Sequence, residues 1–212
     1  MSAALELPKR ERNKQLKRER LLAAARSLFA KRGFAATTTA QIAERAGVGA
    51  GTLFLYFASK EDLLVDIFSA EMDRAIERAF ATLPRRAALM TELLHVFGAM
   101  TQHHERDPEL ARAFVKEMLF VSTADRAQVF EFIDGLNARV AQRIAQRQAR
   151  GELDAAVGAA QVADNLFALF IARLQKSLGA SEPFSSDLTL ARLREAFAAQ
   201  LRALELPQRR NP

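Results

Sequence analysis

Apolar residues recur along this chain at helical spacing almost from end to end. Leu21, Ala24, Ala25, Leu28 and Phe29 follow the i, i+3, i+4, i+7, i+8 pattern of one buried face on a helix that begins near Arg10, and Gly33 stops it. Residues 1–9, polar and ending at Pro8-Lys9, read as a disordered arm. Thr38-Thr39-Ala40-Gln41 has the form of a capping box, in which the Thr38 hydroxyl and the Gln41 side chain satisfy each other's backbone donors. It opens a short helix with Ile42, Ala43 and Ala46 on one face and Gly47 as its stop. Val48-Gly49 turns the chain into a second short helix over 50–57, with Leu53 and Phe57 facing inward. Ser59-Lys60-Glu61-Asp62 is another capping box, which launches a long helix toward Leu83.

The rest divides at visible punctuation. Pro84 precedes a helix over 87–105, and Asp107-Pro108 is an N-cap and N1 pair that starts one over 107–121. Ser122-Thr123 opens a helix over 122–150 stopped by Gly151. Asp154 starts one over 154–179, and after a loop containing Pro183 the last covers 187–205. The pattern predicts an all-α protein of about nine helices, with a three-helix head (residues 1–58) and a larger helical body (residues 59–212).

Composition narrows the function classes. The 212 residues are 50% apolar, enough for a core, and contain no cysteine, which excludes disulfides, thiolate metal sites and thiol nucleophiles. With 9 Gly and 6 Pro, turns are few and a strand-rich fold is not expected. No apolar run reaches the ~18–20 residues of a membrane span, and the N-terminus lacks the apolar core of a signal peptide. A soluble, cytoplasmic protein is expected. The net charge of +6 is unevenly placed: residues 1–60 hold 12 Lys/Arg against 4 Asp/Glu, and the remainder is slightly acidic. A basic block on a near-neutral chain is the footprint of a polyanion-binding module. Two short helices joined by a Gly-containing turn and packed on a longer one form a helix-turn-helix, and here it lies inside that block.

The run of residues 34–64 resembles the DNA-binding signature of tetracycline-repressor (TetR/AcrR) family regulators. The shared elements are Gly33-Phe34, Thr37-Thr38, Ile42-Ala43, Ala46-Gly47-Val48, Gly51-Thr52-Leu53, Tyr56-Phe57 and Ser59-Lys60-Glu61-Asp62-Leu63-Leu64. The resemblance implies a homodimer that reads a palindromic operator in double-stranded DNA, its helical body holding a small effector. Most such proteins are repressors released by that effector. A helical wheel centred on inward-facing Leu53 supports the head independently, since it turns Gly51, Thr52 and Leu55 outward. Thr52 can bond a base edge or a phosphate, Leu55 can touch a thymine methyl, and Gly51 permits close approach of the backbone. Tyr56 sits at the boundary, within reach of a phosphate. Lys60 with the amides after Ser59, and Thr38, Thr39 and Gln41 at the other helix start, suit the DNA backbone. Three positions depart from the common family pattern: Gly49-Ala50 where many members have Ser-Lys, and Phe54 where many have Tyr. Fewer polar contacts are therefore expected from residues 49–54, and more from the basic residues 9–20.

In the body, Leu166-Phe167-Ala168-Leu169-Phe170-Ile171 is apolar all round, as for a helix buried on two sides. With Leu190, Leu193, Phe197, Leu201 and Leu204 of the last helix it reads as a two-helix dimer surface, to which Leu166, Phe167 and Ile171 contribute. Two recognition helices about 34–36 Å apart are what a palindrome requires. The middle helices concentrate Phe97, Met100, Phe114, Met118, Phe120, Phe130, Phe132, Phe167 and Phe170, with Thr101, Glu117, Asn137 and Asn165 as polar candidates for a largely apolar ligand. Most of these aromatics also suit an ordinary core, and Glu117 also suits a surface ion pair. His103 and His104 point about 100° apart on a helix, so no metal site is expected. No phosphate loop or nucleophile elbow occurs, so neither an enzyme nor a cofactor is expected. The alternative, an all-α adaptor or enzyme with a vestigial helix-turn-helix, predicts no selective DNA binding. An activator, or a regulator without a ligand, is equally compatible with the sequence.

Overall fold

A computed structural model describes residues 8–120 and 126–204, the side chains of 119, 120, 126–128 and 203 excepted. Nine α-helices and one 3-10 turn make up the described residues: α1 Lys9–Arg32, α2 Thr39–Ala46, α3 Ala50–Leu53, α4 Lys60–Ala81, α5 Leu89–Glu105, α6 Pro108–Phe120, α7 Arg126–Ala149, α8 Ala159–Leu178, α9 Ser186–Leu201 and the 3-10 turn Arg202–Leu204. No strand occurs among them, and no helix among them is long and apolar enough to cross a membrane. The ends of the chain expected at residues 1–7 and 205, and the Ser122-Thr123 helix start, lie outside the described residues.

The apolar stripe of α1 meets Ile42, Ala43 and Ala46 of α2, Leu53 of α3, Phe57, and Leu63 and Leu64 at the start of α4, all buried. The head therefore shares its core with α4, which runs on into the body. There α5 is central, packed on α4, α6, α7 and α9, while α8 lies against α6, α7 and α9. Phe97 of α5 meets Phe170 of α8 at 5.3 Å and Phe197 of α9 at 5.0 Å between ring centroids. Phe68 of α4 stacks on Phe114 of α6 at 4.2 Å.

Both capping boxes form. Thr38 Oγ1 accepts from the Gln41 amide, and Gln41 Oε1 accepts from the Thr38 amide. Ser59 and Asp62 do the same at the start of α4. Asp107 caps α6 through the Leu110 amide. Gly47 ends α2 with φ 65°, ψ 41°, the left-handed conformation that a Cβ disfavours. A Cβ there would also lie 2.6 Å from Nη2 of Arg20, whose guanidinium caps the Ala46 carbonyl. Gly47→Ala should destabilise the protein by about 1–2 kcal/mol in urea unfolding. A loss below about 0.5 kcal/mol would mean the turn is not constrained as described.

Several expected boundaries move. Lys9 belongs to α1 rather than to an arm. Helix α3 ends at Leu53 instead of near Phe57, because Leu55 and Tyr56 donate to the carbonyls of Thr52 and Leu53 in tighter i→i−3 turns. Phe57 is nonetheless buried, as the pattern required. Helix α8 starts at Ala159, five residues after Asp154. Asp154 instead closes a turn on the Ala156 amide, and Gln148 of α7 holds the carbonyls of Asp154 and Val157, so the chain cannot enter the helix there. Helix α9 begins at Ser186 behind an N-cap from Ser185 and gives way to the 3-10 turn at Arg202.

Candidate nucleic-acid interface

The site is built on the two short helices and the first turns of α1. Leu53 is buried and anchors α3, so the residues around it on the wheel must face out. Gly49, Ala50 and Gly51 are exposed, Thr52 and Tyr56 half-exposed, and Leu55 is 80% exposed. Phe54, treated from sequence only as a lost hydroxyl, is 55% exposed beside Leu55, so the face offers two large apolar side chains. Leaving two such groups in water is costly unless a partner covers them, which marks the face as a contact surface.

The capping geometry changes what Thr38 and Gln41 can offer. Each already bonds the other's backbone amide, so the start of α2 is satisfied internally, and Thr39 stands half-exposed next to it. Lys60 is more strongly committed. Its ammonium donates to the carbonyls of Phe34 at 2.8 Å and Thr37 at 2.9 Å, and lies 4.3 Å from the centroid of the Phe34 ring. Lys60 therefore pins the loop between α1 and α2 onto α4, and of its three N–H donors at most one is left to offer a phosphate. Arg18 is paired with Asp66, Arg26 with Glu71 at 2.7 Å, and Arg45 with the Ser27 hydroxyl at 2.9 Å. These cations hold the head to α4 or hold it together, and no local spacing announced them.

The cations left over are concentrated. Lys9, Arg10, Arg12, Lys14 and Lys17 make no ion pair among the described residues. Lys9, Arg10, Asn13, Lys14 and Lys17 form one wall of a groove of about 650 Å³ whose other wall is Leu55 and Tyr56. The first turns of α1 therefore stand beside the α3 face. Positive charge lies along one side of an exposed face that carries hydroxyl and apolar groups, an arrangement suited to phosphates flanking a groove.

The body candidates fall differently. Leu166, Leu193 and Phe197, read as dimer surface, are fully buried within one protomer and form its core, because α8 and α9 pack on each other and on the rest of the body. Phe167, Ile171, Leu190 and Leu201 are half-buried. Among the ligand candidates, Phe97, Met100, Phe114 and Phe170 are buried in the core, and the Thr101 hydroxyl donates to the Gly98 carbonyl at 2.9 Å. Met118 is half-buried against it. Phe130 is 52% exposed on α7, Glu117 pairs with Lys116 at 3.6 Å, and Asn165 bonds Gln161 along α8, so the structure does not gather the set around one space. Asn137 donates to Asp164 at 2.9 Å while its own carbonyl oxygen is buried without a partner. The Phe120 side chain lies outside the described residues. His104 donates its Nδ1–H to the Met100 carbonyl at 2.7 Å, and burial pushes its pKa down to about 4. No cluster of potential metal ligands occurs among the described residues.

Residues 21–67 match the family model for bacterial regulatory proteins of the tetR family. A transcriptional repressor KstR of Rhodococcus jostii is 35% identical over 126 residues, 58% of each chain. The fatty acid metabolism regulator protein of Bacillus subtilis is 28% identical over 124 residues, 58% of this chain and 64% of that one. The chain thus spans about three-fifths of the length of these curated relatives. The fold is that of Thermus thermophilus FadR, a repressor solved in complex with lauroyl-CoA, with a TM-score of 0.75 at 24% identity, over 92% of this chain and 98% of that one.

Proposed function

We propose that this chain, whose residues 21–67 match the family model for bacterial regulatory proteins of the tetR family, is a sequence-specific DNA-binding regulator of that kind, a homodimeric repressor released from a palindromic operator by a small, largely apolar ligand. The observation that carries the reading is the exposed face of Gly51, Thr52, Leu55 and Tyr56 beside four cations of α1, Lys9, Arg10, Lys14 and Lys17, that make no ion pair among the described residues. Thr52 and Leu55 meet base edges, while Tyr56 and the α1 cations meet phosphates. The dimer forms through the outward sides of α8 and α9, where Phe167, Ile171 and Leu201 remain partly uncovered. The ligand acts through the body. Support for an apolar one comes from the acyl-CoA complex of the Thermus thermophilus protein and from the phenylalanine-rich core.

Selection of bound sequences from a random DNA pool tests the reading, and a pool that shows no enrichment overturns it. On an enriched site, log affinity should fall with log salt at a slope of about −0.9 per phosphate neutralised. Replacing Lys9, Lys14 and Lys17 together with Gln should flatten that slope by about 2–3 units for each protomer bound, about 5 for the dimer. An unchanged slope removes α1 from the interface. Lauroyl-CoA added to the complex should weaken binding, and no effect at saturating concentration excludes this class of ligand. Because the two sites are coupled, DNA must weaken the binding of that ligand by the same factor.

A further inference from the structure

Away from the head, α4, α5 and α9 enclose a cleft of about 360 Å³ that the DNA-binding reading does not use. Its floor is made of small side chains, Ala75 and Ala79 of α4 with Gly98 and Ala99 of α5. Gly98 lets α9 approach closely, since a Cβ there would stand 3.2 Å from Cδ2 of Leu190, which closes the cleft from α9. Two arginines line it, Arg78 of α4 and Arg106 at the end of α5. Neither side chain has an acidic partner among the described residues. The carboxylates nearest in sequence are committed elsewhere: Glu77 to Arg139, Glu105 to the Ser186 amide and hydroxyl at 2.9 and 2.6 Å, and Asp107 to the α6 cap. At the opposite end the Thr82 hydroxyl and His95 Nε2 are bonded to each other at 3.0 Å.

Guanidinium groups left without counter-ions beside a recess are a receptor for an anion, and their planar forks suit phosphate oxygens. Two positive charges match a dianionic group better than a single carboxylate. The flat floor suits a planar or apolar body, and the volume lies within the range of small-molecule sites. Arg78 stands 18 residues beyond Lys60, about 27 Å along α4 from the head, so this charge does not belong to the surface that meets an operator. We propose that the cleft binds a phosphate-bearing small molecule of nucleotide size, its phosphate held by Arg78 and Arg106 and its flat body laid on the alanine–glycine floor. The site rests on these residues alone and is independent of what releases the protein from DNA.

Calorimetric titration of the full chain with ADP, pyrophosphate and adenosine at fixed ionic strength tests the proposal. ADP should bind saturably, one per chain, and adenosine at least 10-fold more weakly. The double variant R78Q/R106Q should bind ADP at least 10-fold more weakly than wild type, while R85Q, which alters a loop arginine outside the cleft, should match wild type. Ala99→Leu adds bulk to the floor without changing charge, and it should weaken ADP by at least 10-fold while retaining pyrophosphate. Circular dichroism verifies that each variant is folded. The proposal is overturned if wild type binds neither ADP nor pyrophosphate, if adenosine binds as tightly as ADP, or if R78Q/R106Q behaves as R85Q does.

Discussion

Replacing Leu55 with aspartate should weaken operator binding by at least about 100-fold while leaving the fold intact. The side chain is 80% exposed and lies outside the head core, so the change removes little buried area and falls among substitutions that alter stability by about 0.5 kcal/mol or less. In the complex the same position would carry a carboxylate into a groove bounded by phosphates. Like charges opposed across an interface cost several kcal/mol, and about 2.7 kcal/mol is already a factor of 100 in affinity. The loss should be greatest at low salt, where the repulsion is least screened. Leu55→Lys separates this effect from the loss of an apolar contact: it deletes the same methyl groups but adds an attractive charge, and should bind non-specific DNA at least as well as wild type. Fluorescence anisotropy with a labelled operator reads both variants. If L55D binds with wild-type affinity, α3 does not face the DNA.

What could be read from sequence follows from how local each determinant is. The apolar period of α1, the Thr38–Gln41 and Ser59–Asp62 boxes and the Gly47 stop all act within four residues, and each appears in the structure where its spacing put it. The outward face of α3 was legible for the same reason, because one buried residue, Leu53, fixes the wheel. The contacts of Arg18, Arg20, Arg26 and Lys60 were not, since their partners lie 23 to 48 residues away and no period links them. Three of the residues assigned to the dimer surface were misplaced for a different reason. A helix that is apolar all round must be covered on every side, but the pattern does not say whether its own chain or a second copy covers each side. Leu166, Leu193 and Phe197 proved to be covered by their own chain. Asp154 likewise reads as an N-cap until the long side chain of Gln148 is seen holding the following loop.

The largest stability effect should come from Glu92, a residue with no part in the sequence-level reading. It occupies a core position on α5, between Leu89 and Val96, and only 3% of it is exposed. Its carboxylate receives Arg143 Nε at 3.0 Å and Nη2 at 2.7 Å, and Arg147 Nη2 at 2.9 Å, both from α7. Arg147, itself buried, also donates to the Ala87 carbonyl at 2.9 Å, which ties the approach to α5 onto α7. Burial opposes the charge on Glu92, but the hydrogen bonds and charges of Arg143 and Arg147 overcome it and hold the carboxyl below its ordinary pKa of 4.5. Glu92→Gln keeps the shape and removes the charge, leaving the buried Arg147 cation with only the half-exposed Glu152 carboxylate, 3.9 Å from its Nε, as counter-ion. Removing one member of a buried pair costs about 3–5 kcal/mol, and Gln can still accept one hydrogen bond, so about 3 kcal/mol is expected in urea unfolding at pH 7. Replacing Glu92, Arg143 and Arg147 together with Leu should cost much less, because no charge is then stranded. The pH dependence carries the same signature. A carboxyl whose folded pKa is depressed contributes stability above its unfolded value, and the contribution is lost as pH falls through the folded one. Wild type should therefore lose stability below about pH 4.5 more steeply than E92Q, and the two should converge in acid. An E92Q variant within about 1 kcal/mol of wild type at pH 7, or one that keeps the same slope in acid, would show that α5 and α7 are held by their apolar contacts and not by this carboxylate.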